Sequence, residues 1–397
     1  MQRKVYPNHF DLSDPVIDYL PQDLIQQWIA SDRSNEMHEK LLAPYLRRGT
    51  IVSSDSAGLS ALTQAKPLIE VLKLVSEPKE IIHAQGIAIG GEAIGTWVAD
   101  NSLMFYSEEI SPLEVTRQMV LAQKKIEKVA VSVGIGIHYG EVYHIGGGLY
   151  GEESKLIEEF TENESKGGDI IISPSTVKHL REPFDRLEAY QEMFRLQYDN
   201  LDAQGVDGDN IDYPAPFDAH FQDQIRQWDN NQPLILDEKH RPFVSTVALV
   251  FFYPSKELRL LDRFVQQLEV SQQTKEITAK HGVDLLKTNG LIGVFHSKDK
   301  EEVIACTKEL HQIFSSRART VNIGVSCGDI MLFSLEKGRD LAGEAVNFAS
   351  KLAEDSEYRG AILFDQTVSE AAKKQGITEA FSLSVSRLVL EGVLRRG

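Results

Sequence analysis

The sequence predicts a mixed α/β fold, with α+β character, that occurs twice in one chain. Apolar runs of strand length alternate with longer amphipathic runs, and the same order of elements is found in two parts of the sequence. An acidic, turn-rich stretch separates these parts, as a linker separates domains. The length of 397 residues also exceeds that of one ordinary domain, so two domains are expected from size alone.

Four segments follow from this pattern. Residues 1–48 carry helical patterns interrupted by breakers and form an N-terminal helical segment. Residues 49–200, the first copy, alternate strands and helices, and residues 243–397, the second copy, do so again. Residues 201–242 between them are rich in Asp, Asn, Gly and Pro, which predicts an acidic linker.

The two copies contain the same predicted elements in the same order. Each begins with an apolar strand, "GTIVSSD" or "STVALVFFY", and continues with a long helix. A hairpin that ends in aromatic residues, a further helix and a glycine-marked strand follow, the strand reading "VGIGIHYGEV" or "VNIGVSCGDI". A helix and a short strand complete each copy. This order is that of the ferredoxin-like split βαβ arrangement, which predicts a mainly antiparallel sheet in each copy.

The composition argues against two classes of partner. Acidic residues exceed basic ones by 59 to 42, a formal charge of −17, so DNA or RNA would be repelled. No apolar run approaches the roughly 18 residues of a membrane-spanning helix, and the N-terminal residues lack the apolar core of a signal peptide. Cys306 and Cys327 belong to no CxxC pair and are expected to be free thiols. We therefore expect a cytoplasmic protein that binds neither nucleic acid nor membrane.

Two aspartates of the first copy are candidates for a metal site. Asp55 ends the apolar strand, and Asp100 lies in the hairpin turn "VADN". On a split βαβ scaffold these positions lie side by side, and paired carboxylates suit Mg²⁺ or Mn²⁺. The small residues that follow Asp55, including Gly58 and Ser60, would present backbone N–H groups to phosphate. In the alternative interpretation Asp55 caps a helix and Asp100 makes a turn.

One stretch of the second copy, "RDLAGEAVNFASKL", contains three suggestive polar residues. It predicts an amphipathic helix with an apolar stripe formed by Ala345, Phe348, Ala349 and Leu352. Asn347 and Lys351 are one helical turn apart on one face, and Asp340 lies in the predicted turn that leads in. The stretch is either an ordinary solvated helix or half of a nucleotide site.

Together these stretches resemble the motifs of the class III nucleotidyl cyclases. "DSAGLS" is similar to the family's metal-binding "D-I-x-G-F-[ST]", "VADN" to its "I-G-D" turn, and "GIGIHYGEV" to "R-x-G-I-H-x-G-x-V". In the second copy, "DLAGEAVNFASKL" resembles "D-x-x-G-x-x-V-N-x-A-S-R-L" almost position for position. The resemblance covers residues 49–200 and 243–397 and implies two cyclase-homology domains.

The resemblance also implies roles for individual residues. The family works as head-to-tail domain pairs with the site at the interface, so the two copies would form an intramolecular pseudo-heterodimer. The metal ligands, for two Mg²⁺ or Mn²⁺ ions, would be Asp55 and Asp100, with Ser56 beside them. On the other side the matching residues are Lys287 in "LLKTNG" for contact with the base, Asp340 for base selection, Asn347 for the ribose, and Lys351 where the family has its transition-state arginine.

The two copies have lost complementary halves of this site. The first strand of the second copy carries no carboxylate, and its hairpin has Asn289 where an acid would stand. In the first copy, "GLYGEESKLIEEF" places Gly148, Lys155 and Glu159 where the second copy has Asp340, Asn347 and Lys351. The resemblance therefore implies one composite site per chain.

The implied function is that of an adenylate cyclase, which converts ATP to cyclic AMP and pyrophosphate. A carboxylate at Asp340 would accept a hydrogen bond from the exocyclic amine of adenine and favour ATP over GTP. Lys351 keeps the charge of an arginine but lacks its planar fork. The alternative is a degenerate cyclase pair that binds a nucleotide or a partner as a regulatory module. The sequence leaves open further oligomerisation, a protein regulator and whether Arg395 and Arg396 contact phosphate or form a basic tail.

Overall fold

The computed structural model describes residues 21–94, 101–180, 187–198, 205–208, 219–228, 236–253, 258–289, 292–316, 320–334, 339–385 and 388–397. The chain divides into two compact units. The first domain comprises Glu39–Leu234, and the second domain comprises Ile235–Gly397 together with Met1–His38.

The first sheet is preceded by helices α1 (Gln22–Ala30) and α2 (Asn35–Leu42) and by a 3₁₀ turn at Ala43–Tyr45. The strands of the first domain are β1 (Leu46–Ser56), β2 (Glu92–Ile94), β3 (Asn101–Ser107), β4 (Val133–Ile145), β5 (Gly148–Tyr150), β6 (Ile170–Ile172), β7 (Leu187–Tyr190) and β8 (Met193–Leu196). Its further helices are α3 (Leu59–Ala65), α4 (Leu68–Ile87), α5 (Pro112–Ile126), α6 (Glu152–Glu164), α7 (Pro174–Val177) and α8 (Ala219–Gln227).

The second domain repeats this series after a 3₁₀ turn at Glu238–His240. Its strands are β9 (Phe243–Phe252), β10 (Asp284–Asn289), β11 (Ile292–Ser297), β12 (Val321–Ser334), β13 (Arg339–Gly343), β14 (Ala361–Asp365), β15 (Glu379–Val385) and β16 (Leu388–Arg396). Its helices are α9 (Leu260–Lys280), α10 (Lys300–Ser316), α11 (Glu344–Glu354) and α12 (Gln366–Lys374).

The two sheets have the same strand order. In the first domain the order is β2-β3-β1-β4-β6-β8-β7, with β5 on β4, and in the second it is β10-β11-β9-β12-β14-β16-β15, with β13 on β12. The pairs β4–β6 and β12–β14 are parallel, and the other pairs are antiparallel. The predicted mixed α/β fold, present twice and with mainly antiparallel sheets, is confirmed.

Alternation along β9 shows why each sheet carries helices on both faces. Ala248 and Val250 are buried in the cluster under α9, α10 and α12, whereas Val247 and Leu249 are buried with residues of α11. Successive side chains of a strand point to opposite faces, so a continuous apolar run produces a strand buried on both sides. The apolar run that predicted the strand therefore also requires two layers of helix.

Glycine permits the close approach of α11 to the sheet. A Cβ atom at Gly324 in β12 would lie 2.0 Å from the carbonyl oxygen of Ala349 in α11. Gly136 occupies the same place in the first domain, since Gly136 pairs with β6 as Gly324 pairs with β14, and its Cβ would lie 2.1 Å from Oγ1 of Thr161 in α6. Any larger residue would push the helix away from the strand.

The N-terminal helix α1 is built into the second domain through Trp28. The indole is fully buried, and its Nε1 donates a hydrogen bond to Oδ1 of Asp262 at 3.0 Å. The Arg259 guanidinium lies 4.8 Å from the indole centroid, forms an ion pair with Asp262 at 2.9 Å, and donates to the carbonyl oxygen of Arg33 at 2.8 Å. Apolar burial, a cation–π contact and charge-assisted hydrogen bonds thus hold α1 at the start of α9.

Two sequence-based expectations, those on membrane-spanning helices and on the cysteines, can be compared with the structure. Among the described residues, no helix is both long and apolar enough to cross a bilayer. Cys306 and Cys327 are free thiols, and burial raises the pKa of Cys306 to about 12.

Replacing Trp28 tests the attachment of α1. Trp28→Ala should lower the free energy of unfolding by about 3–5 kcal/mol, because it removes a buried aromatic side chain. Trp28→Phe should cost about 1 kcal/mol, since it mainly loses the hydrogen bond to Asp262. Urea unfolding followed by circular dichroism measures both values. Val389→Ala, at a side chain that is 65% exposed, is the control and should change stability by less than about 0.5 kcal/mol. Equal stability of Trp28→Ala and wild type would contradict the attachment.

Candidate functional site

The stretch that begins at Arg339 forms a strand before it forms a helix, which corrects the sequence-based prediction. Residues Arg339–Gly343 are strand β13, and α11 begins at Glu344. Asp340 therefore lies in a strand and not in a turn. The reason is tertiary, because pairing with the extended end of β12 buries Leu341. Gly343, with φ 149°, makes the transition into the helix, and a Cβ there would lie 2.2 Å from the carbonyl oxygen of Asp329.

A largely buried ion pair joins Asp340 to Lys287. Nζ of Lys287 donates to Oδ2 of Asp340 at 2.6 Å, and the exposed fractions of the two side chains are 26% and 4%. The second carboxylate oxygen of Asp340, Oδ1, accepts from the backbone N–H of Leu341 at 2.8 Å. The pairing of β10 with β11 shifts register between Leu285 and Lys287, and such a bulge re-aims a side chain. A donor and an acceptor are thus fixed side by side.

Sequence reasoning missed a second ion pair between the same two strands. Arg339 donates from NH1 to Oδ2 of Asp284 at 3.0 Å and from NH2 to Oδ1 at 2.7 Å. Asp284 lies three residues before Lys287 in β10, and Arg339 directly precedes Asp340 in β13. The sequence does contain a signal, because the acid precedes the base in "DLLK" and the base precedes the acid in "RD". That signal predicts an ion pair only when β10 and β13 are known to be neighbours.

Asn347 and Lys351 lie four residues apart in α11 and therefore share a helix face. The predicted apolar stripe lies on the sheet: Ala345, Ala349 and Leu352 are buried, and Phe348 packs partly buried against the same layer. Nζ of Lys351 is 3.8 Å from Oδ2 of Asp355 at the end of the helix. Burial raises the pKa of Asp355, and the ammonium of Lys351 opposes that shift.

The first domain has the same backbone arrangement with different side chains. Gly151, with φ 134°, joins β5 to α6 as Gly343 joins β13 to α11. Counting from these two glycines, Gly148, Lys155 and Glu159 occupy the positions of Asp340, Asn347 and Lys351. Lys155 and Glu159 pair with each other at 3.1 Å on the helix surface. An acidic residue therefore stands in α6 where α11 has a basic one.

The structure describes only some of the predicted metal ligands. Asp55 is half-buried near the end of β1, where its register partners are Asn101 in β3 and Gly134 in β4. Asp100, which directly precedes Asn101, lies outside the described residues, as does the side chain of Ser60. Within the described part of the chain, no three His, Cys, Asp or Glu residues form a group that could hold a metal ion. The pair of metal-binding aspartates stays a prediction.

The expected phosphate loop after β1 is short. Ser56 is buried, and the backbone N–H of Ala57 donates to the carbonyl oxygen of Ser132 at 3.0 Å. Gly58, with φ 86°, directly precedes α3, which has only seven residues. The amide of Ala57 is therefore committed to the fold, and a role for Gly58 and Ser60 in binding phosphate stays a prediction.

The C-terminal arginines lie on opposite faces of β16. Arg396 forms an ion pair with Glu379 at 2.8 Å, and Arg395 lines a cavity of about 610 Å³ with residues of α10 and with Gln375, which directly follows α12. Alternation along β16 places Arg395 on the face of Val393, which packs under α10 and α12, away from the face of Leu394, which packs with α11.

Comparison with solved structures identifies the fold. A class III adenylyl cyclase-like ATP-binding protein from Pseudomonas aeruginosa is similar over 82% of this chain and 85% of its own, with a TM-score of 0.55 and 10% sequence identity. That similarity extends over both sheets. The chain has the fold of the class III nucleotidyl cyclases. The structure thus consists of two cyclase-like domains, each built on one eight-stranded sheet.

Other cyclase structures are similar to a smaller part of the chain. A guanylyl cyclase domain of a fusion protein from the fungus Blastocladiella emersonii is 18% identical and covers 40% of this chain and 99% of its own, with a TM-score of 0.35. An adenylate/guanylate cyclase/hydrolase from Silicibacter pomeroyi is 21% identical and covers 40% and 98%, with a TM-score of 0.33. No protein-family model matches the sequence, and no curated protein matches it.

A double-mutant cycle tests the strength of the Lys287–Asp340 pair. Lys287→Met and Asp340→Asn should each destabilise the protein, and the cycle should give a coupling energy of about 1–3 kcal/mol because the carboxylate is buried. The matched control is the exposed pair Lys373–Glu370, with a 2.8 Å separation, for which coupling should stay below about 0.5 kcal/mol. Equal coupling in both cycles would contradict a buried interaction.

Proposed function

We propose that the chain binds ATP and converts it to cyclic AMP and pyrophosphate at one composite site. The second domain would supply Lys287, Asp340, Asn347 and Lys351. The first domain would supply the metal ligands Asp55, Ser56 and Asp100, with Gly58 and Ser60 near the phosphates. The observation that carries the proposal is the partly buried Lys287–Asp340 pair, which sets one fixed donor beside one fixed acceptor on a cyclase fold.

The pair supports recognition of adenine. The Watson–Crick edge of adenine presents an amine donor at position 6 beside an acceptor at N1. The Asp340 carboxylate would accept from the amine, and the Lys287 ammonium would donate to N1. Guanine presents a carbonyl at position 6 and a donor at N1. Its carbonyl would therefore face the Asp340 carboxylate, acceptor against acceptor, and its N1–H would face the Lys287 ammonium, donor against donor. ATP is therefore the proposed substrate.

The face of α11 supports a role at ribose and phosphate. Asn347 offers an amide that both donates and accepts, and Lys351 offers a cation one turn further along the helix. The lysine would stabilise negative charge that develops on the migrating phosphoryl group. Loss of the planar guanidinium fork would cost about 2–4 kcal/mol of transition-state stabilisation and slow turnover by roughly two to three powers of ten.

The proposed metal site is supported by the oxygen atoms that its residues offer as ligands. Carboxylate and hydroxyl oxygens of Asp55, Asp100 and Ser56 are ligands that Mg²⁺ and Mn²⁺ prefer. Such ions, when bound, would activate the 3′-hydroxyl and neutralise the triphosphate. The location that fits this chemistry is the cytoplasm, where ATP is available.

Cyclic AMP formation is the direct test. The purified chain with ATP and Mn²⁺ should form cyclic AMP slowly, and GTP should give at least about tenfold less cyclic product because the Lys287–Asp340 pair opposes guanine. Asp55→Asn should abolish turnover but leave the fold intact by circular dichroism. Chromatography of the products measures each rate. Complete absence of cyclic AMP at every metal concentration would overturn the catalytic proposal.

A second candidate function is nucleotide binding without turnover, in a regulatory module. The approach of Asp355 to Lys351 favours it, because a nearby carboxylate lowers the net positive charge offered to phosphate. The similar protein from Pseudomonas aeruginosa, described as an ATP-binding protein, also supports it.

Lys351→Arg separates the two candidates. If the chain is an attenuated cyclase, this variant should raise the rate of cyclic AMP formation by about tenfold or more, because the guanidinium restores two parallel hydrogen bonds to phosphate oxygens. ATP affinity, measured by calorimetry, should change little. A variant that binds ATP but still forms no product would favour the regulatory module.

A further inference from the structure

We propose that the Arg339–Asp284 ion pair is a positioning pair that fixes Lys287 against Asp340 and thereby sets the preference for adenine over guanine. The inference rests on the proposed function, because it assigns base recognition to Lys287 and Asp340. The observation behind it is the bidentate contact of Arg339 with Asp284, at 3.0 and 2.7 Å. This contact joins the two strands that carry Lys287 and Asp340.

Four charged side chains on β10 and β13 form two ion pairs. In the structure, both ion pairs cross between the strands: Lys287 with Asp340, and Arg339 with Asp284. Arg339 and Asp340 are successive residues of β13, so their side chains point to opposite faces and do not compete for one partner. The two bonds of the guanidinium fork select one position of β10 against β13, since a planar fork matches a carboxylate in one geometry.

The surroundings of Asp284 support this selection. Nε2 of His296 lies 3.5 Å from Oδ2 of Asp284, and Nδ1 of His296 lies 3.0 Å from Oγ of Ser245, which donates to the carbonyl oxygen of Ser297 at 2.9 Å. Burial lowers the pKa of His296, which disfavours an imidazolium that would compete with the guanidinium of Arg339 for Asp284. Asp284 in turn raises the pKa of Arg339.

The Arg339–Asp284 pair would determine whether the site prefers adenine or guanine. With Arg339 held by Asp284, the carboxylate of Asp340 remains an acceptor for the 6-amine of adenine. Without the contact of Arg339 with Asp284, β10 would be free to shift against β13, and Lys287 and Asp340 would no longer match N1 and the 6-amine of adenine together. Loss of Asp284 should therefore change the choice of base more than the overall affinity for nucleotide.

The test compares the affinities of the whole chain for ATP and GTP by calorimetry, which needs no turnover. Asp284→Asn should reduce the preference for ATP about tenfold. Asp284→Glu should keep most of the preference because it keeps the charge. Arg339→Lys should give an intermediate value, since one donor of the fork is lost. A merely structural role would lower the affinities for ATP and GTP equally.

The matched control is Glu379→Gln. Glu379 pairs with Arg396 at 2.8 Å across β15 and β16 of the same sheet, and its removal should leave the preference unchanged. If Asp284→Asn keeps the wild-type preference while Lys287→Met loses it, the positioning role is overturned and the proposed function stands. If the wild type binds neither nucleotide, both are overturned.

Discussion

The close approach of α11 to β12 is the constraint on which the residues proposed to contact the nucleotide depend. At Gly324 the helix backbone lies where a Cβ atom would otherwise be, so the register of α11 on the strand is fixed. Gly343 then sets the point at which strand becomes helix. These two glycines determine that Asp340 is held beside β10, with Asn347 and Lys351 following on the helix face. The site chemistry thus rests on two positions that carry no functional group.

Much of the fold could be predicted from the sequence because its signals are local. Apolar runs, helical periodicity and the duplicated order of elements were enough to predict two α/β copies with mainly antiparallel sheets. Arg339–Gly343 was assigned wrongly because its five residues form a strand only through pairing with β12, which no local pattern encodes. The Arg339–Asp284 pair was missed for the same reason, since 55 residues separate its members.

The two domains show how one fold supports different chemistry at equivalent positions. The glycine junctions at Gly151 and Gly343 are alike in backbone, yet α6 presents the self-compensating pair Lys155–Glu159 where α11 presents Asn347 and Lys351. The fold alone therefore does not establish activity. In the proposed site, the balance of charge around Lys351, with Asp355 at 3.8 Å, would distinguish a slow enzyme from a binding module.

The burial of Trp28 in the second domain has a consequence for biosynthesis. Its hydrogen-bond partner, Asp262, is 234 residues further along the chain, so α1 leaves the ribosome long before the surface that receives it exists. The first domain, Glu39–Leu234, is continuous and can fold during that interval. The second domain contains residues on both sides of the first domain in the sequence, so it can be completed only after the first has been synthesised. Until the second domain folds, the indole of Trp28 lacks the surface that buries it.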